Sequence, residues 1–163
     1  MRKISVLFCF AILSLISCGE DDACSNVFQA PQNIDLDVEA ANINTIEKYL
    51  LDNNLTAQKT ENDLYYIISE AGSALKPELC SAVLCSYTGY LPNGDVFDMS
   101  AEEGVPFSLF NVIKGWQEGI PLIGVGGKIQ LFIPTKLAYG RFPPTTDIPE
   151  NSSLIFEVEL LAF

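Results

Sequence analysis

Three separate segments of this 163-residue chain alternate apolar and other side chains with period two. Val83, Cys85, Tyr87 and Leu91 alternate with Leu84, Ser86, Thr88 and Tyr90. Ile129, Leu131 and Ile133 alternate with Lys128, Gln130 and Phe132, and Leu154, Phe156, Val158 and Leu160 with Ile155, Glu157, Glu159 and Leu161. Successive side chains of a strand point to opposite faces, so each segment reads as a strand with one face toward a core. Residues 64–68, aromatic and β-branched, predict a further strand. Pro92-Asn93-Gly94 supplies a turn, and Val96-Phe97-Asp98 opens a returning strand. Residues 114–119, Lys-Gly-Trp-Gln-Glu-Gly, predict a short helix closing near residues 121–122. Mostly consecutive strands with hairpin signals and one short helix predict an α+β fold on an antiparallel sheet.

Pro134 stops the strand over 129–133, and a long loop follows over 135–153, containing Pro143, Pro144 and Pro149. Long loops inside a compact domain are usually functional. Residues 72–77 form another loop. Upstream, Ile43, Ile46 and Leu50 fall at helical spacing with Leu51 adjoining, which predicts one helix within 39–53. Asn44 with Glu47 offers a variant capping box, and Asp52-Asn53-Asn54 ends the pattern. The expected role of this helix is packing against the domain, with dimerisation as an alternative.

Met1-Arg2-Lys3 precedes an almost wholly apolar run over residues 4–16. A positive flank and an apolar stretch too short to span a bilayer comfortably read as a secretory signal. It ends Leu15-Ile16-Ser17-Cys18-Gly19, which resembles a bacterial lipobox with Cys18 as the lipidated first residue. Two or more acyl chains anchor stably, since each buried CH₂ contributes about 0.8 kcal/mol. Glu20-Asp21-Asp22 resembles the acidic export tags of surface lipoproteins in Bacteroidota, and also serves as a solvated tether. Removing residues 1–17 takes away Arg2 and Lys3 and no acid, so the net charge moves from −12 to −14. Such a body is repelled by nucleic acid and by anionic head groups, which excludes nucleic-acid binding.

With Cys9 in the signal and Cys18 lipidated, Cys24, Cys80 and Cys85 remain. Cys80 and Cys85 would stand about 16 Å apart in an extended segment, beyond disulfide reach. Cys24–Cys80 is geometrically open, and Cys85 is expected to pack as a small apolar residue. Histidine is absent and no spacing suggests a metal. Gly124-Val125-Gly126-Gly127-Lys128 fails the phosphate-loop and dinucleotide spacings and reads as a tight turn entering a strand. No cofactor is expected.

The stretch from Tyr87 to the end concentrates aromatics, glycines and a lone carboxylate. It reads Tyr87-Thr88-Gly89-Tyr90, Phe97-Asp98, Val112-Ile113-Lys114-Gly115-Trp116, Ala138-Tyr139-Gly140 and Phe156-Glu157-Val158-Glu159-Leu160-Leu161. By themselves these residues describe an aromatic-lined apolar cleft with one carboxylate. Singly, each has a plainer reading: Trp116 and Phe156 as core, Asp98 as a turn residue. In this order they resemble the FKBP-type peptidyl-prolyl isomerases over roughly residues 64–163.

The resemblance implies an FKBP-like antiparallel sheet wrapped around a short helix, with an N-terminal helical extension. It divides the chain into a signal at 1–17, a tether at 18–33, the extension at 34–60 and an isomerase domain at 61–163. It further implies that Trp116, the only tryptophan, floors a proline pocket. Tyr87, Phe97, Phe107, Val112, Ile113, Tyr139, Ile148 and Phe156 match its walls and Asp98 its carboxylate. The Tyr139 hydroxyl and the Ile113 N–H match donors to a ligand carbonyl. The activity implied is cis–trans exchange at X-Pro bonds of secreted or envelope proteins, without nucleophile or metal. The same cleft also suits a module or holdase that grips proline-containing segments without turning them over. Implied partners are proline-containing polypeptides, the membrane through acylated Cys18, in the outer membrane, and a macrolide ligand.

The chain departs from the family at four places. Glu103 stands where the pocket arginine is typical, which sets a second acid near Asp98. The segment between Phe107 and Val112 is shortened, Pro144 replaces a usual histidine, and Asp147 replaces an apolar residue. These changes bear on macrolide affinity and substrate preference more than on the pocket itself.

Overall fold

The structure, a computed structural model, describes residues 35–163. The run read above as a secretory signal, Cys18, the expected tether and Cys24 lie outside the described residues. Asp35 starts the first element: its carboxylate accepts hydrogen bonds from the N–H groups of Asp37 (3.1 Å) and Val38 (3.3 Å). Those donors have no partner within a helix, so the cap sets where helix α1, Leu36–Asp52, begins. Asp37 and Glu39 follow in the first turn, where negative charge suits the helix dipole. The capping box expected at Asn44 and Glu47 is therefore not a helix start; Asn44 lies mid-helix because Asp35 supplies a cap upstream. Ile43, Ile46 and Leu50 face the protein as their spacing predicts, whereas Leu51 is exposed, one residue of rotation off that stripe.

Seven strands follow: β1 (Gln58–Lys59), β2 (Tyr65–Glu70), β3 (Ala82–Tyr90), β4 (Val96–Met99), β5 (Val105–Ser108), β6 (Lys128–Ile133) and β7 (Leu154–Ala162). Helix α2, Lys114–Gly119, lies between β5 and β6 and continues into a single 3₁₀ turn at Ile120–Leu122. All pairings are antiparallel, in the order β1-β2-β6-β7-β3-β4. β3 is long enough to take two partners on one edge: Val83 pairs with Phe107 of β5, and Thr88 with Met99 of β4. Neither β1 nor β5 carries a legible alternation. β1 has two residues, and β5 contains Pro106, which an edge strand tolerates because it lacks a partner on that side.

Each face of the sheet has its own core. On one, Trp116 and Ile120 pack with Val83, Leu131, Phe156 and Leu160. On the other, α1 sets Ile46 and Leu50 against Tyr65, Phe132 and Ile155. Phe132 and Ile155 belong to the outward set of the period-two pattern, yet both are 0 % exposed, because α1 covers that side. Cys85 is buried and free, and burial pushes its thiol up to about 12. Cys80 is disulfide-bonded.

Candidate active site

Gly115 sets the position of the site. A Cβ there would stand 2.5 Å from Ile133, so only glycine lets α2 settle onto β6 with the next side chain, Trp116, buried in the core on that face of the sheet. Gln117, buried one residue on, ties the preceding turn to the helix. Its Nε2 donates to Phe110 O (3.0 Å) and Val112 O (2.8 Å), which fixes Val112 and Ile113 beside the indole. Ile113 is the N-cap of α2 with extended backbone (φ −60°, ψ 151°), so its N–H precedes the helical ladder.

Around Trp116 three rings stand edge-on: Tyr87 at 5.3 Å and 86°, Phe107 at 5.3 Å and 74°, and Phe156 at 5.4 Å and 84°. Phe97 meets Phe156 in the same manner at 5.4 Å. These two rings close over Gly89, where a Cβ would lie 2.7 Å from Phe97 and 2.8 Å from Phe156. Edge-to-face pairs of this kind contribute about 0.5–1.5 kcal/mol each beyond their buried area. The rings are thereby held in place around a hollow instead of collapsing into it.

That hollow has a volume of about 260 Å³ and is lined by nine of the ten residues singled out from the sequence: Tyr87, Phe97, Asp98, Phe107, Val112, Ile113, Trp116, Tyr139 and Phe156. The tenth, Ile148, is buried in the core and borders a separate depression with Pro144 and Phe142. Glu103 lies in the β4–β5 turn and does not line the hollow. Asn111 does line it and went unnoticed in the sequence, as did Gln117 behind the wall. Neither residue belongs to a periodic pattern; each matters through contacts made by a turn.

Tyr87 donates its hydroxyl proton to Asp98 Oδ2 at 2.7 Å. Burial, and then this hydrogen bond, push the Tyr87 pKa well above the ordinary tyrosine value. Burial, and then the charge of Asp98, raise Tyr139 as well. Both hydroxyls therefore keep their protons at any physiological pH and act as donors. Tyr139 makes no hydrogen bond to another described side chain, so its donor is available at the rim. The indole Nε1 of Trp116 is buried without an acceptor among the described residues, consistent with a floor that is aromatic throughout.

Residues 74–161, more than half of the chain, match a family model described as FKBP-type peptidyl-prolyl cis-trans isomerase. A probable isomerase of this type from Haemophilus influenzae is 48 % identical over 104 residues, covering 63 % of this chain and 43 % of that protein. FkpA from Escherichia coli, named as an FKBP-type peptidyl-prolyl cis-trans isomerase, is 42 % identical over 117 residues, or 71 % of this chain and 42 % of its own length. The chain thus spans about two fifths of these curated relatives. Among solved structures, E. coli FkpA superposes with a TM-score of 0.66 at 39 % identity, covering 77 % of this chain and 59 % of that one. A peptidyl-prolyl isomerase from Pseudomonas syringae gives 0.65 at 26 % identity, covering 83 % and 97 %. Because the family match extends over most of the sheet, both strands that bracket the hollow and the helix that floors it, this chain belongs to the FKBP-type peptidyl-prolyl cis-trans isomerase family.

Proposed function

We propose that this protein catalyses cis–trans exchange at X-Pro peptide bonds of proteins in the bacterial envelope, and that it works there as a lipoprotein anchored through Cys18. The observation that carries the catalytic reading is the ring-walled hollow with one carboxylate-bound tyrosine inside and a second tyrosine hydroxyl at its rim.

The barrier to prolyl rotation, about 18–20 kcal/mol, is the loss of amide resonance on twisting. A catalyst must bind the twisted amide better than the planar one. The twisted amide has less charge separation, so a water-poor aromatic hollow favours it relative to bulk water. At about 260 Å³ the hollow falls below the roughly 300–1,000 Å³ of drug-sized sites and suits one prolyl ring with its flanking backbone. Trp116 floors the ring. The Tyr139 hydroxyl and the Ile113 N–H are the donors for a carbonyl that turns out of conjugation. Asp98 holds Tyr87 upright through its hydrogen bond and places negative charge beside the reacting amide. An acceleration of five powers of ten needs about 7 kcal/mol of such differential stabilisation. Phe97, Phe107 and Val112 favour an apolar residue before proline.

A protease-coupled or NMR exchange assay on a proline tetrapeptide tests this reading; no rate gain at micromolar protein would remove it, and binding without turnover would identify a holding module instead. Asp98→Ala is expected to lower kcat/KM about tenfold or more, since a hydrogen bond to a charged group contributes about 1.5–3 kcal/mol. An unchanged rate in this variant would take the carboxylate out of the mechanism. Competition by a macrolide would test whether such ligands share the hollow.

The anchoring reading rests on the charged flank, the apolar run over 4–16 and Leu15-Ile16-Ser17-Cys18. The expected site is the outer membrane, with 18–33 as tether, 34–60 as helical extension and 61–163 as isomerase domain. Cys18→Ser should move the protein from the detergent-soluble membrane fraction to the aqueous fraction and abolish incorporation of labelled fatty acid; persistence in the membrane would contradict the anchor.

A further inference from the structure

The loop over residues 134–153 brings Tyr139 to the rim of the hollow, and its two roots are held by one side chain from outside the sheet. Asn42 of α1 is only 6 % exposed, and all its hydrogen-bonding capacity is used. Its Oδ1 accepts from Thr135 N at 3.2 Å and from Ser153 Oγ at 2.6 Å. Its Nδ2 donates to Asn151 O at 2.9 Å and to Val38 O at 3.0 Å. A flipped amide would set NH₂ against the Thr135 N–H and oxygen against the Asn151 carbonyl, so the network has one orientation.

These bonds reach Tyr139 through the backbone. Thr135 O accepts from Ala138 N at 3.1 Å and from Gly140 N at 3.2 Å, and Gly140 O accepts from Asn151 N at 2.7 Å. Tyr139 thus sits between two residues tied to the pair that Asn42 grips. One turn earlier on the same face of α1, Glu39 contacts Lys136 Nζ at 3.0 Å, three residues before Tyr139.

We infer that Asn42 is a positioning residue for the reaction: the N-terminal helix clasps both roots of the rim loop and holds Tyr139 where a ligand carbonyl meets it. The inference rests on the reading of the hollow as the substrate site. A loop that is competent only part of the time raises the apparent KM by the inverse of that fraction and leaves kcat nearly unchanged. A residue that merely stabilised the fold would shift the melting temperature and neither of these.

The test uses the full chain with Asn42→Ala, and Lys48→Ala on the exposed side of α1 as control. Asn42→Ala is expected to speed amide hydrogen exchange at Gly140 and Asn151 while β6 and β7 stay protected. It should raise KM for a proline tetrapeptide about fivefold with kcat within about twofold; Lys48→Ala should change neither. Should Asn42→Ala fail to fold, Ser153→Ala removes one bond and should give the same pattern at smaller scale. Loop exchange and KM unchanged in the folded variant overturn the inference. If the wild type shows no turnover, the functional reading fails on its own. The clasp is then read by loop exchange and by the Kd of the same peptide.

Discussion

Trp116→Leu is expected to lower kcat/KM by about a hundredfold, equivalent to about 2.7 kcal/mol of lost transition-state binding. The indole is 4 % exposed and touches three rings edge-on, so leucine removes three favourable ring pairs together and leaves a gap where the floor stood. The prolyl ring then lies over a void wide enough for water, and water restores the preference for the planar, charge-separated amide. The same change should cost the fold about 3 kcal/mol, at the lower end of large-to-small losses for buried aromatics. Denaturant melts separate the two effects, with the rate measured on the folded fraction. Activity kept within twofold would show that the hollow is not where proline binds.

The second large effect concerns stability. Lys136 carries its ammonium group into a nearly closed space between α1, the β1–β2 turn and the rim loop, with 14 % of the side chain exposed. It meets Asp63 at 2.7 Å and Glu39 at 3.0 Å. Lys136→Met leaves the Glu39 carboxylate, 12 % exposed and without a hydrogen-bond donor among the described residues, facing no cation. Stranding a buried charge costs about 3 kcal/mol or more, or a fall of roughly 10 °C in Tm for a domain of this size. The double variant Glu39→Leu/Lys136→Met should recover most of that loss, because an apolar pair leaves no charge uncompensated. A melt unchanged by the single substitution would contradict the ion pair.

The two partners also set a pH window. The hydrogen bond from Lys136 is the chief cause that lowers the Asp63 pKa below 3.8; burial opposes it and the bond from Lys59 adds to it. Its stabilisation is complete above pH 3.8 and fades as pH falls through the lower folded value. Burial is the largest influence on Lys136 and works to lower it, but the hydrogen bond to Asp63 and the ion pair with Glu39 outweigh it and raise the pKa above 10.5. That contribution is complete below pH 10.5 and fades as pH rises through the folded value. The Tm gap between wild type and Lys136→Met should therefore be widest between these limits and narrow in acid and in strong base. A gap that widens toward pH 3 would refute the assignment.

The ends of the sheet show where sequence reading stops. β3, β6 and β7 were legible because a buried face repeats every second residue over six to nine positions. α2 was legible from a glycine-flanked tryptophan in a short polar segment. β1 and β5 are too short or too exposed to repeat anything. Asn42 looks like any surface asparagine of a helix, and Lys136 like any loop lysine, until α1 is laid over the sheet. Phe132 and Ile155 carry the same lesson in reverse: an alternation identifies two faces and is silent about what covers the second.

Strand periodicity, the turn at Pro92-Asn93-Gly94 and the two helices followed from local order, since neighbouring residues along the chain decide them. The order of aromatic motifs likewise carried the family resemblance and nine of the ten residues of the hollow. The hollow itself required the folded protein. Its walls come from β3, β4, β5, α2, the rim loop and β7, and residues as distant as Tyr87 and Phe156 become neighbours only when β7 pairs with β3. The exclusion of Ile148 and the clasp of Asn42 depended on the same step. Burial and hydrogen-bond partners are set by elements packing in space, and no window of adjacent residues contains them.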